Sequence, residues 1–476
     1  MKPYAHQTKA TRETVRDVLD NGFHALFMEV GTGKTKTILD AAFDLWLRHE
    51  IGQMLVCAPK SLVGTWKQQT TEHCAFPEWS FLAYDAQRSK TAKWSASFYD
   101  FLSRPSGVFP ILFINTEAFQ APNPKLRAIV EAYTVKLPTL LVIDESSDIK
   151  SPKAKRSVNL TKLGQRCAAR VIMTGTEVTN SVLDLYQQFE FLKPGFWGFK
   201  SFFFFKNCYA ILEEKYLSGG RTYKEIVGYR KLEEIQAKIA PHTSRALKRD
   251  CLDLPPQIHA TLPVEFSGPG KKAYDDLKKH LIALLDSGEV VTVANKVALF
   301  TKFRQLTGGT LAGIGVIDAN SPKVSALMDE IRDHNEQAII WSSFTEEINL
   351  LVKTVGSEWP CVRFDGLTNE KDREAAIDVF SSGKARFFIA NPAAASQGLN
   401  LQNAHLQYWI SLPTQAKQYE QGEGRTHRSG QVHPCLYKQI IAEGTVDERV
   451  AELLAAKTDI MLQFREGTVA DMIDLV

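Results

Sequence analysis

Short apolar runs rich in β-branched and aromatic residues recur along the chain between stretches with helical spacing, and they fall into two series. The first comprises residues 24–28, 53–59, 110–115, 140–145 and 170–176; the second comprises residues 337–343, 361–366, 386–391, 406–411 and 438–444. Brief runs that are apolar throughout, separated by amphipathic helices, are the pattern of parallel strands buried on both faces. The pattern predicts an α/β chain with two lobes, each a parallel sheet covered by helices. Residues 192–320, between the two series, hold few β-rich runs and many long polar side chains, with a break at Leu254-Pro255-Pro256. Mostly helical extensions of both lobes around a linker are expected there.

Composition narrows the class without naming a chemistry. A chain of 476 residues is long enough for two or three domains, each with its own core. No apolar stretch is long enough to span a bilayer, and the first seventeen residues lack the apolar core of a secretory signal, so no membrane association and a cytoplasmic location are expected. The seven cysteines are scattered with no Cys-x-x-Cys pair, which argues against a disulfide framework and a zinc site. A net charge of +3 does not announce nucleic-acid binding, so any basic footprint must be local, as at Lys150 to Arg156 or Arg245 to Arg249.

The first chemical signal follows the first apolar run. In FHALFMEVGTGKTKT, residues 23–37, a strand leads through a glycine-containing turn into a helix opened by Lys34 and Thr35. Gly31 and Gly33 let the backbone curl so that N–H groups of Gly31, Thr32, Gly33 and Lys36 face phosphate oxygens. Lys34 is placed for the β and γ phosphates, and the Thr35 hydroxyl for Mg²⁺. Met28 stands where the general motif has a glycine, which makes this a variant phosphate loop.

A second signal is LLVIDESSDIK, residues 140–150, where an apolar strand ends in Asp144 and Glu145. Ligand sites in parallel sheets lie beyond the carboxyl ends of strands. Asp144 is therefore a candidate to hold Mg²⁺, directly or through water, and Glu145 to orient and deprotonate the attacking water. Alone, the pair could simply cap a helix. In QGEGRTHRSGQ, residues 421–431, Arg425 and Arg428 share one face if the segment is helical. They are candidates to stabilise charge on a γ phosphate, against the ordinary alternative of a solvated basic face.

These motifs, in this order, resemble the Swi/Snf-type ATPases of helicase superfamily two over almost the entire chain. Pro3-Tyr4-Ala5-His6-Gln7 resembles the family's adenine-reading entry, with Gln7 the implied base contact. Ala58 to Leu62 with Trp66 resembles motif Ia, Asp144-Glu145 motif II, and Thr174-Gly175-Thr176 with Asn180 motif III. NSVLDLYQQFEFLKPGFWG, residues 180–198, is similar to the family's segment after motif III. IIWSSF at 339–344 resembles motif IV, and Gly398 to Leu401 the end of motif V. Gln421, Gly424, Arg425, Arg428, Gly430 and Gln431 resemble motif VI.

The resemblance implies two RecA-like lobes, with ATP and Mg²⁺ as cofactors. Lys34, Asp144, Glu145, Gln421, Arg425 and Arg428 are the implied catalytic residues, and Gly398 joins the nucleotide-binding set. Expected boundaries are 1–195 for the first lobe, 196–253 for its helical extension, 254–322 for the linker and second extension, 323–444 for the second lobe and 445–476 for a bracing helix. ATP-driven closure would make the protein step along nucleic acid, with Lys60, Ser61, Asn115, Thr116, Ser342, Ser343, Asn391 and Ser396 as backbone grips. The chain departs from the family at Ser146-Ser147, where Ala-His is usual, at Glu177 in place of proline, and at Asn391 to Ser396, where motif V lacks a threonine and a lysine.

A DNA-dependent ATPase that translocates on double-stranded DNA and remodels it or its complexes is the expected function, acting as a monomer with a protein partner for targeting. The bare set of motifs suits a bacterial protein or one from a phage-infected cell. The alternatives are a helicase or fork-remodelling and annealing enzyme acting on branched or single-stranded DNA, and a non-catalytic DNA clamp. The aromatic run Phe202 to Phe205 and Trp66 could stack on a partner or base, but core packing is the expectation for both.

Overall fold

The computed structural model describes residues 3–105, 107–179, 181–216, 222–286, 293–395 and 399–466. Asn180, Ser396, Gln397 and Gly398 lie outside the described residues. The chain divides into two compact units, residues 1–252 with 459–476, and residues 253–458.

In the first unit, β1 (Phe23–Met28), β2 (Gln53–Ala58), β3 (Glu78–Ala83), β4 (Val108–Asn115), β5 (Thr139–Asp144) and β6 (Ala169–Thr174) alternate with helices. A hairpin of β7 (Ala210–Tyr216) and β8 (Thr222–Tyr229) follows, then β9 (Thr243–Ala246). The main sheet has the order β3-β4-β2-β5-β6-β1-β9, and every pairing in it is parallel. Both faces are covered, which is why these strands are apolar at consecutive positions. Phe23, Ala25 and Phe27 enter one core cluster, while Leu26 and Met28 enter the other.

His24 is the polar exception in β1, and its partners explain why it is tolerated. Its Nδ1 lies 2.8 Å from Asp17 Oδ2 and its Nε2 2.9 Å from Ser244 Oγ, while His242 Nδ1 sits 2.9 Å from Asp17 Oδ1. Asp17 belongs to the helix α1 (Ala5–Asn21), so this buried chain of side chains ties α1, β1 and β9 together.

The second unit holds β10 (Gln257–Val264), a small pair β11 (Thr310–Leu311) and β12 (Gly315–Val316), then β13 (Ala338–Trp341), β14 (Cys361–Phe364), β15 (Phe387–Ala390), β16 (Leu406–Trp409) and β17 (Cys435–Ala442). Its main sheet runs β10-β17-β16-β13-β15-β14, again parallel throughout. Two parallel α/β units covered by helices meet the expectation for the fold class. All seven cysteines are unpaired, and among the described residues no helix is long and apolar enough to cross a membrane.

The expectation of mostly helical extensions needs correction. Residues 196–253 carry helices at Phe202–Tyr209 and Leu232–Ile239, but also the β7–β8 hairpin and the seventh strand of the sheet. The hairpin is exposed on both faces along most of its length, so no apolar alternation marks it in sequence. β9 is four residues of Thr-Ser-Arg-Ala, and β10 is largely exposed although it pairs with β17 along its whole length. The run at Phe202 to Phe205 splits: Phe205 is core against Tyr186, Trp197 and Tyr209, whereas Phe203 and Phe204 are exposed.

In the second unit, Lys323 is buried at the start of the helix Pro322–Arg332 and donates to Asp447 Oδ2 at 2.6 Å; Thr307 Oγ1 donates to the other oxygen at 3.0 Å. Removing one partner of a buried pair leaves a charge without compensation. Lys323→Met is expected to destabilise the protein by about 3 kcal/mol in denaturant unfolding, and the double variant Lys323→Met/Asp447→Leu to recover most of that loss.

Candidate nucleotide site and candidate nucleic-acid contacts

Because the first sheet is parallel, the carboxyl ends of its strands lie along one edge, and the predicted motifs of this unit gather there. The chain leaves β1 at Met28, turns through Glu29 to Gly33 and enters α2 (Lys34–Leu47). Gly31 and Gly33 have φ of 92° and 93°, the left-handed region that glycine enters without penalty. At Gly33 space is also closed: a Cβ would lie 2.1 Å from Gln7 Nε2.

Gln7 is buried against this turn. Its Oε1 accepts from Tyr4 N at 3.1 Å and its Nε2 donates to Thr32 O at 3.1 Å, while His6 Nε2 lies 2.8 Å from the same carbonyl. The Thr32 hydroxyl closes the turn on Glu29 O at 2.8 Å. Lys34 Nζ donates back to the carbonyls of Met28 at 2.8 Å and Glu29 at 3.4 Å, over the mouth of the loop. Thr35 is half-buried in the first turn of α2, and the Lys36 ammonium pairs with Asp40 one turn on, so Lys36 offers the loop its backbone rather than its charge.

Asp144 ends β5, which is separated from β1 in the sheet only by β6. At the end of β6, Gly175 packs on the phosphate loop, where a Cβ would meet Val30 N at 3.2 Å and Met28 O at 3.4 Å. Asp144 and Glu145 are both buried. Asp144 Oδ1 accepts from Glu145 N at 2.9 Å, and Oδ2 from the indole Nε1 of Trp66 at 2.9 Å. Burial, reinforced by the adjacent Glu145 charge, pushes the Asp144 carboxyl up to about 6, against the pull of Lys34 and of the Trp66 donor.

Glu145 itself has φ 54° and ψ 51°, a conformation that costs a non-glycine residue about 1–2 kcal/mol. The turn that follows, Ser146–Ile149, is fastened at two points. Ser146 Oγ donates to Gln188 Oε1 at 2.7 Å, and Gln188 Nε2 donates to Glu177 O at 2.8 Å. Lys150 Nζ bonds Thr179 Oγ1 and lies 3.5 Å from Asp184 Oδ2. One buried glutamine thus joins the Ser146 hydroxyl, a departure from the family pattern, to the backbone carbonyl of residue 177. The Glu177 carboxylate in turn sits 3.9 Å from Arg245 on β9, and Lys248 N donates to Glu29 Oε2 at 2.6 Å.

In the second unit, Gln421 lies near the end of the helix Ala416–Glu423. Arg425 and Arg428 follow in a turn, so helical spacing does not align them as the sequence suggested. A shared acceptor does: Arg425 Nη1 and Arg428 Nη1 donate to Leu399 O at 2.9 Å and 3.1 Å, and Arg425 Nε donates to Gln421 O at 2.7 Å. Burial lowers the pKa of Arg428.

The expected grips divide. Lys60 and Ser61 are exposed on the turn Lys60–Leu62 after β2, and Asn115 is half-exposed at the end of β4. Thr116 and Ser342 are fully buried at 0 % exposure, which corrects their reading as phosphate contacts. Ser342 Oγ bonds the buried Glu347 carboxylate, which Ser411 Oγ also meets at 2.6 Å. Ser343 donates from its hydroxyl to Ser411 O at 3.2 Å, and Asn391 Nδ2 to Ser343 O at 3.1 Å, so these two brace the ends of β13, β15 and β16. Lys153 and Lys155 are exposed, whereas Lys150 is held in the network above.

The model of the SNF2-related domain matches residues 19–307, more than half of the chain. The chain belongs to the SNF2-related family. The helicase conserved C-terminal domain matches residues 322–430. SNF2-related similarity extends to Protein CHROMATIN REMODELING 4 of Arabidopsis thaliana, 24% identical over 96% of this chain and 21% of the relative. An uncharacterized ATP-dependent helicase of Mycoplasma pneumoniae is 24% identical over 94% of this chain and 41% of its own length, and the putative ATP-dependent helicase/translocase YwqA of Bacillus subtilis is 24% identical over 92% and 46%. The chain therefore spans between a fifth and a half of these relatives' lengths. The solved Sulfolobus solfataricus SWI2/SNF2 ATPase core in complex with dsDNA is 20% identical, with a TM-score of 0.43, over 100% of this chain and 96% of that one.

Trp66, Gln188 and Lys248 are site contacts that sequence reasoning did not assign. Trp66 was marked by the motif it follows, but its acceptor was not, and Gln188 lies in the family-like segment 180–198 without its partners being marked. The raised Asp144 carboxyl has a measurable consequence. Its folded value, about 6, exceeds the unfolded value near 4, so the folded state holds the proton longer and Asp144's share of stability falls as pH rises between about 4 and 6. Denaturant unfolding of the nucleotide-free protein is expected to show that decline, and Asp144→Asn to flatten it.

Proposed function

We propose that this chain is an ATP hydrolase whose nucleotide cycle drives movement along double-stranded DNA. The observation that carries the proposal is the meeting, around the end of β6, of a glycine turn topped by Lys34 with the buried pair Asp144 and Glu145. The donor set suits Mg²⁺ bound together with a nucleotide. Two neighbouring buried carboxylates favour a divalent cation, and no cluster of three or more His, Cys, Asp or Glu side chains exists among the described residues to hold a metal by protein groups alone. Thr35 and Asp144 would hold the ion, which when bound neutralises charge on the β and γ phosphates.

In this reading Gln7 reads the base, and backbone N–H groups of Gly31 to Lys36 and the Lys34 ammonium bind the phosphates. Glu145 accepts the proton of the attacking water, its carboxylate aimed by the strained backbone that Ser146 and Gln188 brace. Gln421, Arg425 and Arg428 act on the γ phosphate during hydrolysis. Lys60, Ser61, Asn115, Ser343 and Asn391 serve the DNA backbone, directly or by shaping its loops. The ATPase lobes are assigned to 1–195, completed by the strand β9, and to 323–444, completed by the strand β10, with the rest of 196–253 and 254–322 as extensions and a terminal helix at Val446–Glu466. A monomer in the cytoplasm of a bacterial or phage-infected cell, targeted by a protein partner, fits this assignment. The names of the relatives, which include a chromatin-remodelling protein and a putative helicase/translocase, support a nucleic-acid motor.

The β7–β8 hairpin favours a second reading, a helicase or fork remodeller that separates strands. It forms a two-stranded sheet separate from the main one and exposes Tyr216 and Tyr223, which a strand-splitting element could use for stacking. Triplex displacement on blunt duplex compared with unwinding of a forked duplex decides between the two: displacement without unwinding is expected, and unwinding without displacement would favour the hairpin. Glu145→Gln is expected to lower ATP turnover roughly 100-fold or more while nucleotide binding persists. Unchanged turnover would point to a clamp that binds without catalysis.

A further inference from the structure

Trp66 is buried at 2 % exposure in α3 (Val63–His73), in the same core cluster as Leu62, and no step above uses its side chain chemically. An indole is a donor only, and when buried it must find an acceptor. The acceptor here is Oδ2 of Asp144 at 2.9 Å, so the donor falls on the carboxylate assigned to the metal. Among the described residues, the hydrogen bonds that fix this carboxylate come from Trp66 Nε1 and from the backbone N of Glu145. The second moves with β5 itself. The first arrives from α3, which continues directly from the turn Lys60–Leu62. That turn exposes Lys60 and Ser61 and buries Leu62, so the exposed pair and the buried Leu62 and Trp66 lie on one continuous segment.

We propose that Trp66 is a positioning residue that orients the Asp144 carboxylate for the metal and couples the exposed turn at Lys60–Ser61 to it. The proposal rests on the ATPase reading above. Removing the indole N–H frees Oδ2 to turn and detaches the turn from the metal-bearing group. Loss of a donor behind a metal ligand typically weakens metal binding 10–100-fold.

The test is Trp66→Phe in the full chain, which keeps an aromatic ring and removes the donor. Binding of a fluorescent ADP is measured with EDTA and with Mg²⁺, and ATP turnover with and without blunt duplex DNA. The expected result is unchanged metal-free binding, a Mg²⁺-dependent gain in affinity reduced about tenfold, and stimulation by DNA falling toward unity. Trp66→Met, apolar and without any N–H or O–H donor, is expected to behave alike and replaces the Phe variant should that fail to fold. A variant that melts earlier but keeps both the Mg²⁺ gain and the DNA stimulation overturns the role of Trp66 and leaves the ATPase reading standing. Wild-type protein that gains no affinity from Mg²⁺ and hydrolyses no ATP overturns the ATPase reading and the proposal together.

Discussion

Two carboxylates on consecutive residues are held out of water at the end of β5, and the first unit is arranged around that fact. Ionised groups in such a place raise each other's pKa and need fixed donors or a cation. The Asp144 carboxylate meets one donor from α3 and one from its own backbone. Glu145 is kept in a left-handed conformation that the local chain would not choose, and the turn after it is fastened through Ser146, Gln188 and Lys150 to the segment following β6. The phosphate loop faces the same region, with Gly175 in contact with Met28 and Val30.

The second unit solves a different problem. Strand ends that must present loops in fixed positions are joined beneath the surface by a buried carboxylate, Glu347, bonded to Ser342 and Ser411. Its pKa is raised by burial and lowered by Lys323, itself paired with Asp447. Gly308 is required there, since a Cβ would collide with Glu347 Oε1. Arg425 and Arg428 are likewise organised by one carbonyl, that of Leu399, and not by a helix.

Where chemistry demanded a rare local conformation or a fully buried strand, the sequence was legible. Gly31 and Gly33, the apolar runs of β1, β2, β4, β5 and β6, and the acid pair fall within a residue or two of where pattern places them. The hairpin β7–β8 and the strands β9 and β10 were not legible, because exposed or short strands carry no apolar period. Thr116 and Ser342 were misread because a hydroxyl at a strand end looks the same in sequence whether it faces solvent or is buried, as Ser342 is against Glu347. Trp66 and Gln188 act through partners 78 and 42 residues away, and such pairings are set by sheet order. The departure at Ser146 finds its partner in Gln188, and the Glu177 carboxylate finds a separate one in Arg245.

In the proposed function, the strand ends of the first unit form a site for Mg²⁺-bound ATP whose turnover answers to DNA. Steady-state ATP hydrolysis by the wild-type chain, measured across a titration of blunt duplex DNA with Lys34→Ala alongside, addresses it most directly. Slow turnover without DNA, a saturable rise with duplex that weakens as salt increases, and no turnover in the Lys34 variant are expected. Turnover that ignores DNA, or that survives loss of Lys34, would contradict it.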